Sequence, residues 1–473
     1  MAKIDKTQSA WRLAMVLVAL MALGSMHASA QGLVDRARVL TDRGPASFEV
    51  WAHQRSNALT SATLDAFYTG GFLTSDFLNR ILADHPEMAT AGLEVGWSKR
   101  WSTRPFIKDQ WSLTWSVGSD ILTRAQWRQD LFALTFIGNG PSVGRQMVLS
   151  GTGVRLGAFN RVSVGLEQAK SRQRIELSLV QRVAGAEWGI PYGTFLVSEG
   201  ADSMEVVAQT YASASIDNLP EDWDFNVGQI VGQIMPAYGF GVSGSLPLIS
   251  DNRPFQLEFE FRDVGVLWEP PGGQFAMVDT SLFTTGLPFP IASYLDDNYV
   301  AEPGLTIQNV LDGNTGYEDA VFHTDSAVGR VLMLPSRLNA KLSYWPHDEF
   351  MIKAAVRAGN WMPQPELTMG VGWMPDGRFA FGLDFRTGGW GQSRPALWLD
   401  LRITKKRILS LDIDDPLGFM WREDVAAYTY GRGFHLTLRR IPGEDKWTRL
   451  MGLDRSRAFG QSGRRSGPST RNM

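Results

Sequence analysis

The sequence contains no cysteine. A chain without thiols forms no disulfide and no thiolate metal site, whatever compartment it reaches. Long apolar runs are missing as well. After residue 30 no stretch approaches the roughly 18 to 20 consecutive apolar residues of a membrane-spanning helix. A basic surplus is also absent: the formal net charge is −3, or about −5 once residues 1–30 are set aside. Mild acidity excludes the basic footprint of a nucleic-acid binder.

Catalytic patterns are scarce too. Five histidines follow residue 30 (His53, His85, His323, His347 and His435), and none are paired at i, i+4 or as H-x-H, so their spacing outlines no metal site. There is no G-x-S-x-G elbow. Gly138-Asn139-Gly140 and Gly151-Thr152-Gly153 fall short of G-x-G-x-x-G and read as turns or bulges. Asp312 to Asp319 places oxygen ligands at alternate positions, as a calcium loop does, but lacks the glutamate that closes a twelve-residue loop. The expectation is a chain that is not an enzyme and carries no cofactor and no metal.

What is present begins at the N-terminus. Lys3, Lys6 and Arg12 precede an apolar run from Leu13 to Leu23, and Ala28-Ser29-Ala30 supplies a small-residue cleavage site. Residues 1–30 therefore read as a cleaved signal peptide. No cysteine follows the cut, which excludes a lipid-anchored lipoprotein.

The body of the chain combines 48 Gly and 17 Trp with 44% hydrophobic residues, yet its mean hydropathy is only −0.14. Alternation explains this. Phe379, Phe381, Leu383 and Phe385 alternate with Ala380, Gly382, Asp384 and Arg386; Phe255, Leu257, Phe259 and Phe261 oppose Gln256, Glu258, Glu260 and Arg262. Similar runs start at Leu93, Trp111, Val162, Ile175, Leu338, Leu367, Leu397 and Phe434. Successive strand side chains point to opposite faces, so each run has one apolar face and one polar or small face. Soluble sandwiches and propellers alternate too. Here the strands number well over seven, the apolar faces are richly aromatic, and Tyr344, Trp345, Trp361, Trp373 and Trp390 sit near strand ends, as in the girdles of a membrane barrel. The fold class expected is all-β: a transmembrane outer-membrane β-barrel of about 14 antiparallel strands (between twelve and sixteen), with short helices and one long loop or plug.

The domain plan places the barrel in 31–443. Within it, helices are expected over Ser75 to His85 and Arg124 to Phe136, and residues 269–327, without sustained alternation, form a long loop or plug. Residues 444–473 are basic and polar and are expected to form a disordered tail. Polar faces carry the candidate lumen-lining residues Arg337, Lys341, Lys353, Arg357, Asp384, Arg386, Asp400, Arg402, His435 and Arg439. Such charges either set selectivity in a channel or pair across the lumen and fill it.

Tyr68-Thr69-Gly70-Gly71-Phe72, Asp130-Leu131-Phe132 through Phe136-Ile137-Gly138-Asn139, the run from Phe261 to Trp268, and Leu334-Pro335-Ser336-Arg337-Leu338 occur in order. This set resembles an uncharacterised Bacteroidetes outer-membrane family, the domain-of-unknown-function family numbered 5723. Members resemble the broader group of fatty-acid-transporter-like barrels. The resemblance implies a barrel and brings no established substrate or catalytic residues. The basic tail departs from barrels that end on a terminal aromatic.

The leading expectation is a passive conduit or transporter for a small or hydrophobic solute in a Gram-negative outer membrane. A second is a non-transporting scaffold that meets envelope protein partners through its long loop and periplasmic-side helices. A third is a barrel lipid hydrolase, for which the inward-facing His435 is the residue to watch. Expected partners are outer-membrane lipids and envelope proteins, with no nucleic acid.

Overall fold

The computed structural model describes residues 46–440, apart from 70–73, 107–109, 216–234, 250–254, 286–322, 376–378, 405–406, 420–427 and the positions 104, 169–170, 202, 327 and 348. The leader, the cleavage site, the candidate calcium segment and the basic tail lie outside the described residues.

Strands β1 (Ala46–Ser56), β2 (Met88–Ser102), β3 (Trp111–Arg128), β5 (Thr152–Gln168) and β6 (Arg174–Val197) pair antiparallel in sequence; β4 (Gln146–Val148) is a short strand on the outer part of β6. The sheet continues through β8 (Ala237–Ile249), β9 (Phe255–Glu269), β13 (Arg337–His347), β14 (Phe350–Gly359) and β15 (Glu366–Trp373). It goes on through β16 (Phe379–Gly388), β17 (Gly391–Thr404), β18 (Arg407–Asp414) and β19 (Gly431–Arg440). β19 then pairs with β1, from Ser47 opposite Arg439 to Arg55 opposite Gly431. The sheet is a closed barrel of fourteen antiparallel strands. Closure leaves no unpaired edge in the wall, which is what hydrocarbon demands of a β structure.

The two ends differ. One carries the start of β1, the end of β19 and six short connections, the longest of which spans 103–110. The other carries the long connections, with helices α1 (Ser61–Thr69), α2 (Ser75–Asp84) and α3 (Gln129–Phe136). Outer-membrane barrels turn tightly on the periplasmic side and loop widely outside. The helices thus belong to the outer end, and the expectation of periplasmic-side helices is corrected.

Helix α2 begins where the Thr74 side chain accepts from the Phe77 amide and buries Leu78 and Ile81. Those two pack on Phe132 of α3. His85 follows α2 and accepts a hydrogen bond from Trp127 Nε1 at 2.9 Å; burial holds its imidazole below the ordinary range, in the neutral form able to accept. The helix expected over Arg124 to Phe136 begins only at Gln129. Residues 124–128 extend β3, because ladder pairing with β2 and β5 outweighs a helical apolar spacing that is also compatible with a strand.

Within 269–327 the structure describes β10 (Gln274–Thr285) and β11 (His323–Ser326). β10 pairs with β7 (Ser203–Ala214), and β7 with the outer half of β6. This four-stranded extension β6-β7-β10-β11 rises from the wall beyond the outer end. β12 (Arg330–Met333) leads back to β13 along β9.

Candidate functional site: the lumen and its mouth

Burial runs inside-out relative to a water-soluble protein. Outward positions are apolar and exposed: Leu177 is 64% exposed, Phe240 71% and Phe385 55%. Inward positions are charged and buried: Arg55, Glu94, Asp120, Arg161, Asp263, Glu366, Asp384, Arg394 and Asp414 are all below 9% exposed. An apolar exterior around a polar interior is stable only with hydrocarbon outside. The chain is a transmembrane β-barrel of the outer-membrane type.

The inward charges form ion-pair groups that span strands. Towards the mouth, Arg55 on β1 lies 3.0 Å from Glu366 on β15 and 2.5 Å from Asp414 on β18. Arg394 on β17 bonds both carboxylates, at 2.9 Å to Asp414. Arg386 on β16 extends the lattice to Asp412 (2.5 Å), Asp414 and Asp384 (3.4 Å each), and Lys353 on β14 closes it on Asp384 at 2.8 Å. Four cations thus meet four carboxylates.

Glu94 on β2 holds Arg357 at 2.8 Å and Arg337 at 3.4 Å from the opposite wall. Asp120 on β3 takes Arg161 through two bonds of 3.2 Å, and Asp263 holds the same guanidinium at 3.0 Å. Asp263 has φ +54 and lies at a register shift between β8 and β9. The bulge turns two consecutive residues inward: Asp263 to Arg161, and Arg262 to the face of Trp51 at 5.6 Å.

All ten sequence-chosen residues can be placed. Lys353, Asp384 and Arg386 share the mouth lattice, and Arg337 and Arg357 share Glu94. Arg439 pairs with Asp400 at 3.3 Å nearer the short-turn end. Lys341 is half-buried opposite Glu258 in register. Arg402 is exposed near the end of β17. His435 is bonded to the Thr437 hydroxyl at 3.3 Å and lies 3.7 Å from Glu49; among the described contacts no serine hydroxyl is bonded to it.

Sequence reasoning passed over the acidic partners Glu94, Glu366 and Asp414 and the cations Arg55, Arg161 and Arg394. Arg55, Glu94 and Arg394 fall on alternating runs, and a strict parity count would have found them. Glu366 and Asp414 stand at strand ends, where parity gives no signal.

Three strand-end aromatics depart from the girdle expectation. Tyr344 and Trp373 follow the outward pattern, with Trp373 43% exposed, but Trp345, Trp361 and Trp390 are at most 6% exposed and lie inside. Trp361 and Trp390 come from connections at the outer end and join Leu122, Phe159, Val180, Leu267, Leu334 and Met362 in an apolar layer across the mouth. Trp345 joins Met351, Met374, Ala380, Ile408 and Trp398 near the short-turn end. The lumen is ionic in its middle and aromatic towards each end. The indole N–H groups of Trp345, Trp361, Trp390 and Trp398 are buried and have no acceptor among the described residues.

No family model matches the chain and no curated protein matches it, so the family resemblance rests on the residue motifs. Among solved structures, the Ralstonia pickettii toluene transporter TbuX is 8% identical with a TM-score of 0.37, over 85% of this chain and 90% of its own. A mutant of the monoaromatic hydrocarbon channel TodX is 10% identical with a TM-score of 0.35, over 84% and 89%. Outer membrane phospholipase A from Escherichia coli is 8% identical with a TM-score of 0.22, over 86% and 98%. At such identities and scores neither the solutes nor the chemistry of those proteins transfer to this chain.

Proposed function

We propose that the barrel is a gated conduit for a small solute, closed at the mouth in the conformation described. One observation carries this reading: the tryptophans across the mouth belong to connections, not to the wall. Trp361 lies between β14 and β15, and Trp390 in the turn between β16 and β17. Both can swing outward without breaking a ladder hydrogen bond of the barrel. Their ring faces and unpartnered N–H groups suit a solute with an apolar body and a polar tip. The ion-pair lattice beneath them offers a polar path with little net charge, which selects weakly by sign.

Single-channel recording with the purified protein in a planar bilayer tests the proposal. Wild type is expected to show rare, small openings, and W361A/W390A a larger and more persistent conductance. Silence in both, with folding verified by a heat-modifiable gel shift, would leave a sealed scaffold. That second reading has one observation in its favour, the extension β6-β7-β10-β11, a sheet outside the membrane wall with backbone to offer a partner.

A further inference from the structure

The outward face of the barrel is largely apolar, and three of its charged residues, Lys99, Arg407 and Arg440, lie towards the short-turn end. There β18 sets Arg407 opposite Arg440 of β19, and both side chains are exposed. Their chain neighbours Ile408 and Arg439 are buried on the lumen side, so strand parity sends both arginines outward. Like charges directly opposite on one face repel each other. The outward positions nearest them are Leu409, Leu438 and Ile403; none is acidic. Neither guanidinium forms an ion pair or hydrogen bond with a described residue.

The pair continues into a row. Arg439 lies opposite Ser47, which brings Arg440 level with Ala46; Ala46 lies opposite Trp101, and Trp101 opposite Trp115. Both indoles face outward, 38% and 48% exposed. Lys99 stands one pleat deeper on the same face, 5.0 Å from the Trp101 ring. With strands about 4.8 Å apart, the small Ala46 leaves roughly 10 Å between Arg440 and Trp101. Outward tryptophans of a barrel mark the depth of the lipid headgroups.

We propose that this row binds an anionic phospholipid of the periplasmic leaflet, with its phosphate between Arg407 and Arg440. The guanidinium forks match phosphate oxygens in geometry and charge. Aliphatic wall continues from the arginines towards the membrane centre through Leu409 and Leu438, a surface for acyl chains that free phosphate would leave unused. The assignment does not depend on an open lumen, so it stands or falls separately from the conduit.

Native mass spectrometry of the detergent-solubilised protein, titrated with phosphatidylglycerol or phosphatidylcholine of matched chains, tests it. Wild type is expected to prefer phosphatidylglycerol, and R407Q/R440Q to bind it about thirty-fold more weakly, as loss of two interfacial cationic contacts implies. R80Q, on exposed α2 at the other end, is expected to bind like wild type. Equal phosphatidylglycerol affinity in wild type and R407Q/R440Q overturns the proposal. So does equal affinity of wild type for the two lipids, or displacement of the lipid by equimolar inorganic phosphate. If R407Q/R440Q loses the heat-modifiable gel shift, R440Q alone, compared with R440K, carries the same test: weakening in the first and retention in the second are expected, and no difference between them overturns it.

Discussion

Trp390 rests against Gly92, although the two belong to parts of the chain nearly 300 residues apart; a Cβ on Gly92 would lie 2.3 Å from the indole Cδ2. The Thr90 hydroxyl donates to the Trp390 carbonyl at 3.1 Å and fixes the turn over β2. Glycine is required here for space, and the mouth layer depends on it.

Gly92→Ala is therefore expected to push Trp390 out of the mouth. The overpacking cost is about 1–3 kcal/mol, read as an earlier urea midpoint of the gel-shifted form. Conductance should rise along with it. A variant that is destabilised but conducts like wild type would separate the packing of Trp390 from gating.

The mouth lattice sets a second expectation. Asp414 is held by Arg55, Arg386 and Arg394. Asp414→Asn leaves buried guanidiniums short of one carboxylate, a change that costs about 3–5 kcal/mol in buried pairs. The temperature at which the folded band disappears on unboiled gels should fall clearly. The exposed Arg145–Asp130 pair is the control, because removing it should move that temperature by at most about 1 kcal/mol equivalent.

Asp263 combines a left-handed backbone with a buried ion pair. Asp263→Asn keeps a residue that tolerates positive φ and loses only the charge; Asp263→Val loses both. Urea unfolding should rank wild type above Asn, and Asn above Val. Equal losses in the two variants would show that backbone conformation contributes nothing at the bulge.

Asp415, just beyond the end of β18 with φ +50, is buried. Burial and the neighbouring Asp414 carboxylate push its pKa up to about 6. The folded state then binds a proton that the unfolded state has released, so this group's contribution to stability grows as pH falls from above 6 towards 4. Asp415→Asn should remove that dependence and stabilise the protein at pH 7 by on the order of 1–3 kcal/mol. Parallel stability-versus-pH curves for wild type and variant between pH 4 and 7 would contradict the raised pKa.

The amino-acid sequence alone determined the wall. Period-two alternation is a local property, readable in any eight residues, and it assigned Phe381, Leu383 and Phe385 to lipid and Asp384 and Arg386 to the lumen, with fourteen strands as the count. Tertiary structure alone decided what fills the lumen. Glu94 meets Arg337 and Arg357 from across the barrel, and Arg55 meets Glu366 over a separation of 311 residues, and no local pattern encodes such partners. The same holds for the tryptophans near strand ends. An indole there suits a headgroup girdle or a barrel mouth equally well, and the choice for Trp361 and Trp390 follows from where their connections cross and from a glycine leaving room on the far wall. Side-chain direction along a strand is fixed by backbone geometry, whereas the direction of a loop is fixed only by what it packs against.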